Sequence, residues 1–406
     1  MHRRLPHVII VICTLLDGSL AAIDRQKVVK AFNVERNASS PSTPLQVGNG
    51  NFAFGVDVTG LQTFQPFGTL STWAWHNFSL PTTPGQTSVN GELGRQTHLQ
   101  RQKLIPSDFT GLDWMTHGRL VNYNQPNPAE EDISTWLIQN PQRVNLARIG
   151  FDFGGKTVNE SHVTGRYQVL DLWAGKISSK FVYEGQPVEV ETHCHPSLDV
   201  IGIRVVSPLL ATASLGIFVD FPYPTRNKFD APFVGVLNDT SHHHVTGRST
   251  TRDSTFVHTL DDNRYVVKAR WDTEGRTIAP AAGKTRYVLT FSGQELRIAI
   301  GFGPTEDVPM ANYSDVVSAS EKAWREYWEE GAFIDLTSIN SPNATELQRR
   351  SILSQYLMMV NSASSNPPQG EQTRAEPQPF VPTLVPTFVP TFVPTFVPIL
   401  TLDRIR

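Results

Sequence analysis

The chain has 406 residues, of which 39% are hydrophobic, and a formal net charge of −3. This composition is typical of a folded globular protein and unlike that of a disordered chain. Lysine and arginine residues do not cluster among aromatic residues, so the sequence lacks the basic surface of a nucleic-acid-binding protein. We therefore expect neutral molecules as partners and no nucleic acid.

The N-terminus has the layout of a secretory signal peptide. Positions 2–4 are basic, an apolar run follows at 8–16, and small residues occupy positions 19, 21 and 22. This pattern predicts that residues 1–21 are removed by cleavage near Ala21. The alternative is a membrane anchor, but a helix that crosses a bilayer needs about 20 apolar residues and this run is shorter. The sequence thus predicts a secreted, extracellular protein with no membrane segment after cleavage.

Glycosylation sequons agree with passage through a eukaryotic secretory pathway. The asparagines predicted to carry glycans are Asn37, Asn77, Asn159, Asn238, Asn312 and Asn343. Cys13 lies in the predicted signal peptide and leaves Cys194 alone, so no intrachain disulfide is expected.

The region from about 46 to 304 has a hydrophobic period of two, which indicates strands. In segment 188–195 the even-numbered residues from Val188 to Cys194 are predicted to face the core, and the odd-numbered residues from Glu189 to His195 to face solvent. Similar alternation appears at 201–205, 215–221 and 265–271. The sets at 287–291 and 296–302 are predicted to pair as a hairpin through residues 292–294. The fold class is therefore mainly β, a large antiparallel β-sandwich over residues 22–310.

Two helices are predicted after the strands, in residues 311–369. The first begins at Ser314 and ends before Gly331, and the second runs from about Ala344 to Asn361. Their apolar stripes are Val317, Trp324, Tyr327 and Trp328, and then Leu347, Ile352, Leu353, Tyr356, Leu357 and Val360.

Residues 370–406 contain a Val-Pro-Thr-Leu/Phe repeat. Proline at every fourth position excludes a helix and a central strand, so this tail is predicted to be extended or disordered.

Several segments of the chain form a recognisable set: 47–55 (VGNGNFAFG), 69–76 (TLSTWAWH), 139–143 (QNPQR), 170–173 (LDLW), 194–199 (CHPSLD), 346–350 (ELQRR), 353–357 (LSQYL) and 366–369 (NPPQ). This set resembles the N-terminal region of fungal six-hairpin glycosidases, the glycoside hydrolases related to families 65 and 95. The resemblance implies a β super-sandwich, a helical linker and then an (α/α)6 barrel that holds the catalytic carboxylates.

The sequence leaves this family pattern at about Gly370, after what resembles the first barrel helix. No catalytic residue can therefore be carried over to a position in this chain. The expectation is the N-terminal domain of a secreted glycoside hydrolase acting on O-glycosidic bonds, by hydrolysis or phosphorolysis, and inactive by itself.

Four aromatic residues are candidates for stacking on a sugar: Trp73, Trp75, His76 and Trp114. Core packing is the alternative for each of them. The resemblance implies that loops of the sandwich border the active-site mouth, which favours Trp73 and Trp75. The expected partner is an oligosaccharide or polysaccharide.

Other chemistry-bearing residues are interpreted structurally. The cluster Glu130-Glu131-Asp132 is typical of a turn or helix start rather than a catalytic pair. His193 with His195, and the 242–244 histidine run in a predicted loop, are weak metal signals without a supporting motif. Segment 48–50 is a turn rather than a phosphate loop. We expect no metal and no cofactor.

Two alternatives to the enzyme domain remain open. The sandwich could be a carbohydrate-binding module that acts through stacking aromatic residues. The chain could also be the nonfunctional product of an erroneous gene model. In addition, the stripes around Trp324 and Tyr356 would normally meet barrel helices, so they are expected to form an exposed apolar patch.

Overall fold

A computed structural model of the chain describes residues 23–364, apart from 79, 82–105, 126, 128–129, 226–233, 238–240 and 262. The predicted signal peptide and the Val-Pro-Thr tail lie outside these residues, as do Asn238 and segment 366–369. No helix in the described ranges is long and apolar enough to span a membrane.

The described part of the chain is mainly β, as predicted. Its strands are β1 Val34–Arg36, β2 Leu45–Gly48, β3 Phe52–Val56, β4 Thr69–Ser71, β5 Trp75–His76, β6 Leu112–Thr116, β7 Arg119–Tyr123, β8 Gln142–Arg143, β9 Arg148–Asp152, β10 Thr164–Asp171, β11 Lys176–Tyr183, β12 Gln186–Cys194, β13 Val200–Val206, β14 Gly216–Asp220, β15 His243–Ser249, β16 Asp253–Leu260, β17 Asn263–Trp271, β18 Gly275–Ile278, β19 Tyr287–Phe291 and β20 Glu295–Gly303. The helices are α1 Arg25–Lys30, α2 Glu131–Gln139, α3 Pro208–Ala211, α4 Tyr313–Glu330 and α5 Pro342–Ser362.

Two antiparallel sheets form the sandwich. The larger has nine strands in the order β1-β10-β11-β12-β13-β20-β17-β16-β15, and the smaller has four in the order β18-β19-β14-β9. Rings from the two sheets meet in the core, with centroids 5.8 Å apart for Phe151 and Phe181 and 5.7 Å apart for Trp271 and Phe291. The core therefore lies between the sheets, as in other face-to-face β-sandwiches.

The predicted hairpin between β19 and β20 is wrong. β19 pairs with β14 and β18 in the smaller sheet, whereas β20 pairs with β13 and β17 in the larger one. Residues 292–294 thus carry the chain across the core from one sheet to the other. The alternation of apolar residues is the same for a hairpin and for such a crossing, because in both cases Leu289 and Leu296 face the core.

Helix α4 has the predicted bounds within one residue. Asn312 caps its N-terminus, with Oδ1 accepting a hydrogen bond from the Asp315 amide at 3.0 Å, and Gly331 follows its last residue. Its buried residues are Val316, Ser320, Trp324 and Trp328, so Val316 takes the place predicted for Val317. Four residues of an α-helix correspond to a rotation of about 400°. Residues spaced by four are therefore offset from one another by about 40° around the helix axis. The line of contact therefore runs obliquely across α4.

Helix α5 also forms where predicted, but its buried stripe differs. Leu347 is 54% exposed, whereas Gln348 is buried with Ile352, Tyr356 and Val360. The Gln348 side chain accepts a hydrogen bond from the Leu336 amide at 2.6 Å and donates to the Ile334 carbonyl at 3.0 Å. These two bonds satisfy the buried amide, which explains why a polar residue is tolerated there.

The expected exposed patch around the helix aromatics is wrong, because the sandwich itself covers them. Trp328 Nε1 donates to the Leu172 carbonyl at 2.9 Å, and the Tyr356 hydroxyl donates to the Gln46 carbonyl at 2.9 Å. Trp324 stacks on Tyr356 with ring centroids 4.6 Å apart, and all three side chains are buried. The helices therefore pack on the sandwich as part of the same core.

The predicted solvent-facing side of β12 is wrong at His193, which is buried. Helix α4 covers this end of the strand, and the Tyr313 ring meets the His193 ring edge-on at 6.4 Å. Desolvation, and then the charge of Lys176, lowers the pKa of His193 to about 4. Cys194 points into the core as predicted, and burial raises the pKa of its thiol well above its ordinary value.

Candidate functional site

A glycine-asparagine turn, residues 48–51, connects β2 to β3 and anchors a second loop. Asn49 Oδ1 accepts hydrogen bonds from the amides of Asn51 at 3.0 Å and Phe52 at 2.8 Å, which closes the turn. Its Nδ2 donates to the carbonyls of His195 and Leu198, each at 3.0 Å. One side chain thus fixes both the turn and the loop after β12. The segment is a turn, as predicted.

The same turn receives the end of α5. The Gly50 amide donates to the Val360 carbonyl at 2.9 Å, and Ser364 Oγ donates to Asn51 Oδ1 at 2.5 Å. A Cβ at Gly50 would lie 2.4 Å from the Ala363 carbonyl oxygen, and Gly50 has φ +87°. Only glycine fits, because the position requires both a left-handed backbone and contact with another backbone.

Asp199 joins this loop to the tryptophan segment, which we define as residues 71–78. Its Oδ2 accepts hydrogen bonds from Ser71 Oγ at 2.5 Å and from Trp73 Nε1 at 2.7 Å. Burial raises the pKa of Asp199 despite these two bonds, which act in the opposite direction. The sequence marked Asp199 only as part of a family segment, because the 128-residue separation from Ser71 hides the contact.

A buried arginine packs against the ring of Trp75. Its Nε1 donates to the Thr72 carbonyl at 2.9 Å, and the Arg143 guanidinium lies 4.3 Å from the centre of its ring. Arg143 also donates to the Ser71 carbonyl, and desolvation lowers its pKa to about 10. Within the described residues, Arg143 Nε and both amide atoms of Gln142 have no hydrogen-bond partner. Such orphaned groups are costly.

His76 is fully buried at the end of the tryptophan segment. Its Nε2 lies 3.0 Å from Asp261 Oδ2, and its Nδ1 lies 3.3 Å from Asn263 Nδ2. The rings of Phe78 and Tyr223 meet it edge-on. The structure therefore brings Trp73, Trp75 and His76 together in one segment, with His76 inside and the two tryptophans half-buried.

Trp114 lies elsewhere, on the hairpin of β6 and β7. The strand register puts Trp114 and Tyr123 on one face, where they are 59% and 42% exposed. Met115 and Leu120 are exposed on the other face. This hairpin presents aromatic side chains to solvent, whereas the tryptophan segment does so only in part.

The remaining candidates from the sequence are the acidic residues 130–132 and the histidines 242–244. Glu131 and Asp132 begin α2, as predicted for a helix start. Glu130, which precedes them, is buried rather than solvated, and its carboxylate accepts hydrogen bonds from the amides of Thr110 and Gly111. Of the predicted 242–244 loop, residues 243 and 244 belong to β15 instead. In the ranges that the structure describes, no three His, Cys, Asp or Glu side chains are grouped so as to hold a metal ion.

The described sequon asparagines are all on the surface. These are Asn37, Asn77, Asn159, Asn312 and Asn343. Their exposure is compatible with the predicted glycosylation, which stays a prediction.

A search of protein-family models and of curated proteins finds no match for this sequence. Among solved structures, the chain is similar to a "putative kojibiose phosphorylase from human microbiome", with 7% identity, a TM-score of 0.46, and coverage of 82% of this chain and 42% of that one. It is also similar to a bacterial glucoamylase complexed with acarbose, with 8% identity, a TM-score of 0.34, and coverage of 71% and 43%. A family GH92 alpha-mannosidase from Bacteroides thetaiotaomicron gives 9% identity, a TM-score of 0.30, and coverage of 83% and 41%.

The chain spans about two fifths of the length of each of these structures. At these identities and TM-scores, the likeness carries no inference about activity.

Proposed function

We propose that this chain is the N-terminal β-sandwich domain of a secreted glycoside hydrolase that acts on O-glycosidic bonds, and that the 406-residue chain alone is inactive. The observation that carries this proposal is the meeting of three separated segments at one place. Segments 47–55, 69–76 and 194–199, which resemble six-hairpin glycosidases, contact one another through Asn49 and Asp199.

The end of α5 belongs to the same place. The glycine-asparagine turn binds residues 360–364 through Gly50 and Asn51. In the family that the sequence resembles, a catalytic barrel follows such a helix. A barrel that begins there would start beside the tryptophan segment, so the sandwich would contribute Trp73 and Trp75 to the rim of the sugar site. The proposed division is a sandwich at 22–310 and linker helices at 311–369.

The decisive experiment has two parts. The transcript is sequenced downstream of the codon for Gln369, where we expect an in-frame continuation that encodes further helices with acidic residues. The 406-residue chain and the continued chain are then incubated with a panel of disaccharides. We expect cleavage or phosphorolysis only by the continued chain. Cleavage by the 406-residue chain would overturn the inactivity, and a confirmed tail with no continuation would overturn the enzyme-domain proposal.

A second candidate function is a carbohydrate-binding module without catalysis. The exposed pair of Trp114 and Tyr123 on one face of the β6–β7 hairpin favours it, because flat aromatic faces stack on pyranose rings. A glycan array probed with the 406-residue chain distinguishes it from an inert relic. Selective binding without product formation supports the module.

Secretion is part of the proposal and has its own test. Expression in a yeast host with the natural N-terminus should release a protein that begins near residue 22. Its mass should fall on treatment with an endoglycosidase, since the described sequon asparagines are exposed. Retention of residues 1–21 in the released protein would contradict the signal peptide.

A further inference from the structure

A buried cluster of histidines lies where β15, β16 and β17 meet the tryptophan segment. His243 Nδ1 is 2.6 Å from His258 Nε2, and His258 Nδ1 is 2.7 Å from the Tyr265 hydroxyl. The Tyr265 hydroxyl donates to the Leu146 carbonyl at 2.6 Å. These side chains form a continuous chain of hydrogen bonds inside the protein.

The hydrogen bonds fix the protons in this chain. Because Tyr265 uses its only proton on Leu146, the bond between Tyr265 and His258 needs a hydrogen on His258 Nδ1. Nε2 of neutral His258 then carries no hydrogen, so it accepts the hydrogen bond between the two histidines, and His243 Nδ1 donates it. All these contacts are satisfied with both histidines neutral. Two protonated rings would place N–H groups against each other at 2.6 Å.

A second set of contacts ties the cluster to the tryptophan segment. Asp261 Oδ2 accepts a hydrogen bond from the Tyr223 hydroxyl at 2.7 Å and lies 3.0 Å from His76 Nε2. The Trp73 ring packs on Tyr265, with centroids 6.2 Å apart. The segment is therefore held at its start through Trp73 and near its end through His76.

Among the residues that the structure describes, the titratable groups that face this cluster come from several elements. They are His76 of β5, Tyr223 and His242 from the preceding loops, His243 and His244 of β15, His258 of β16, Asp261 after β16 and Tyr265 of β17. Within the described ranges, the carboxylate among these groups is Asp261, which is engaged with His76 and Tyr223.

We propose that the histidine cluster is an acid-sensitive latch, which holds residues 71–78 against β17 and the β16–β17 connection at neutral pH and releases them in acid. The latch does not depend on the proposed function, although its consequence for a sugar site at Trp73 and Trp75 does.

The direction of the pH effect follows from burial. Burial, and then the neighbouring His243, His244 and His76, lowers the pKa of His258 well below its ordinary value. A histidine in an opened segment titrates near 6.5. The closed state thus has its full stability above about pH 6.5 and loses it as the pH falls, because the opened state binds a proton that the closed state does not. Each proton taken up raises the opening equilibrium about tenfold per pH unit below this value.

Hydrogen–deuterium exchange of the full chain between pH 7.5 and 5 tests the latch. After correction for intrinsic exchange, we expect exchange in peptides covering 71–78 and 258–265 to increase about fivefold from pH 6.5 to 5.5, because half of the opened state is already protonated at pH 6.5. Peptides covering β13 and β20, in the centre of the larger sheet, should stay protected. Exchange at 71–78 that does not depend on pH would overturn the proposal.

Matched variants identify the group responsible. His258→Gln keeps a donor for Tyr265 and an acceptor for His243 but takes up no proton, so the acid-dependent increase should be lost or shifted to lower pH. His162→Gln, at an exposed histidine, should behave as wild type. His243→Asn serves if His258→Gln does not fold. An unchanged pH midpoint in the folded variant would contradict the latch, whether or not the chain binds sugar.

Discussion

The helix pair α4–α5 and the β6–β7 hairpin both carry large apolar side chains, but the two regions differ in whether these side chains are buried. On the helices, Trp328 and Tyr356 are buried, and each donates a hydrogen bond to a backbone carbonyl of the sandwich. On the hairpin, Trp114 and Tyr123 remain exposed. The helices therefore stabilise the sandwich, whereas the hairpin leaves its apolar surface exposed. Apolar residues alone do not distinguish these two roles.

The strongest test of the helix side of this contrast is Trp328→Ala. It removes a buried indole and its hydrogen bond to Leu172, so the free energy of unfolding should fall by about 3–5 kcal/mol. Denaturant titration followed by circular dichroism measures this change. Leu347→Ala, on the exposed side of α5, is the control and should change stability by less than about 0.5 kcal/mol. Equal small effects would mean that the helices are not part of the core.

Two glycines with the same backbone handedness sharpen the comparison. Gly50, in the turn that receives α5, and Gly118, at the tip of the β6–β7 hairpin, have φ +87° and +71°. Gly118→Ala should cost about 1 kcal/mol, because an added Cβ meets nothing within 4 Å and only the left-handed backbone is penalised. Gly50→Ala should cost about 3 kcal/mol, since overpacking against Ala363 is added. Thermal unfolding of both variants checks the order, and equal costs would contradict the tight contact with α5.

The smallest expected effect on stability is that of Trp114→Ala. Because the side chain is exposed, the free energy of unfolding should change by less than about 0.5 kcal/mol. If the hairpin binds carbohydrate, glycan-array signals should be lost in this variant and kept in Leu120→Ala, which alters the opposite face. Binding that survives Trp114→Ala would remove the hairpin as the sugar platform.

Local patterns in the sequence were sufficient for some features. The alternation in 201–205 and 265–271 predicted strands β13 and β17, and the apolar stripe between Ser314 and Gly331 predicted α4 with its bounds within one residue. The burial of Cys194 followed from the alternation in 188–195. Each of these features depends on residues that are neighbours along the chain, so the sequence displays them directly.

The candidate site was predictable only in part. The sequence selected Trp73, Trp75 and His76, but it gave no sign of the partners that hold them. Arg143 under Trp75, Asp261 beside His76 and the pair His243–His258 come from distant positions. Contacts between residues so far apart in the chain cannot be recognised from a local sequence pattern.

The sequence by itself determined that this protein is built mainly of strands followed by two amphipathic helices, because periods of two and of about 3.6 residues are local properties of the backbone. Only the tertiary structure decided that β19 and β20 belong to different sheets, that His193 is buried under α4, and that Trp328 packs on the sandwich. Periodicity shows which residues face a partner, but the identity of that partner depends on contacts between segments far apart in the chain.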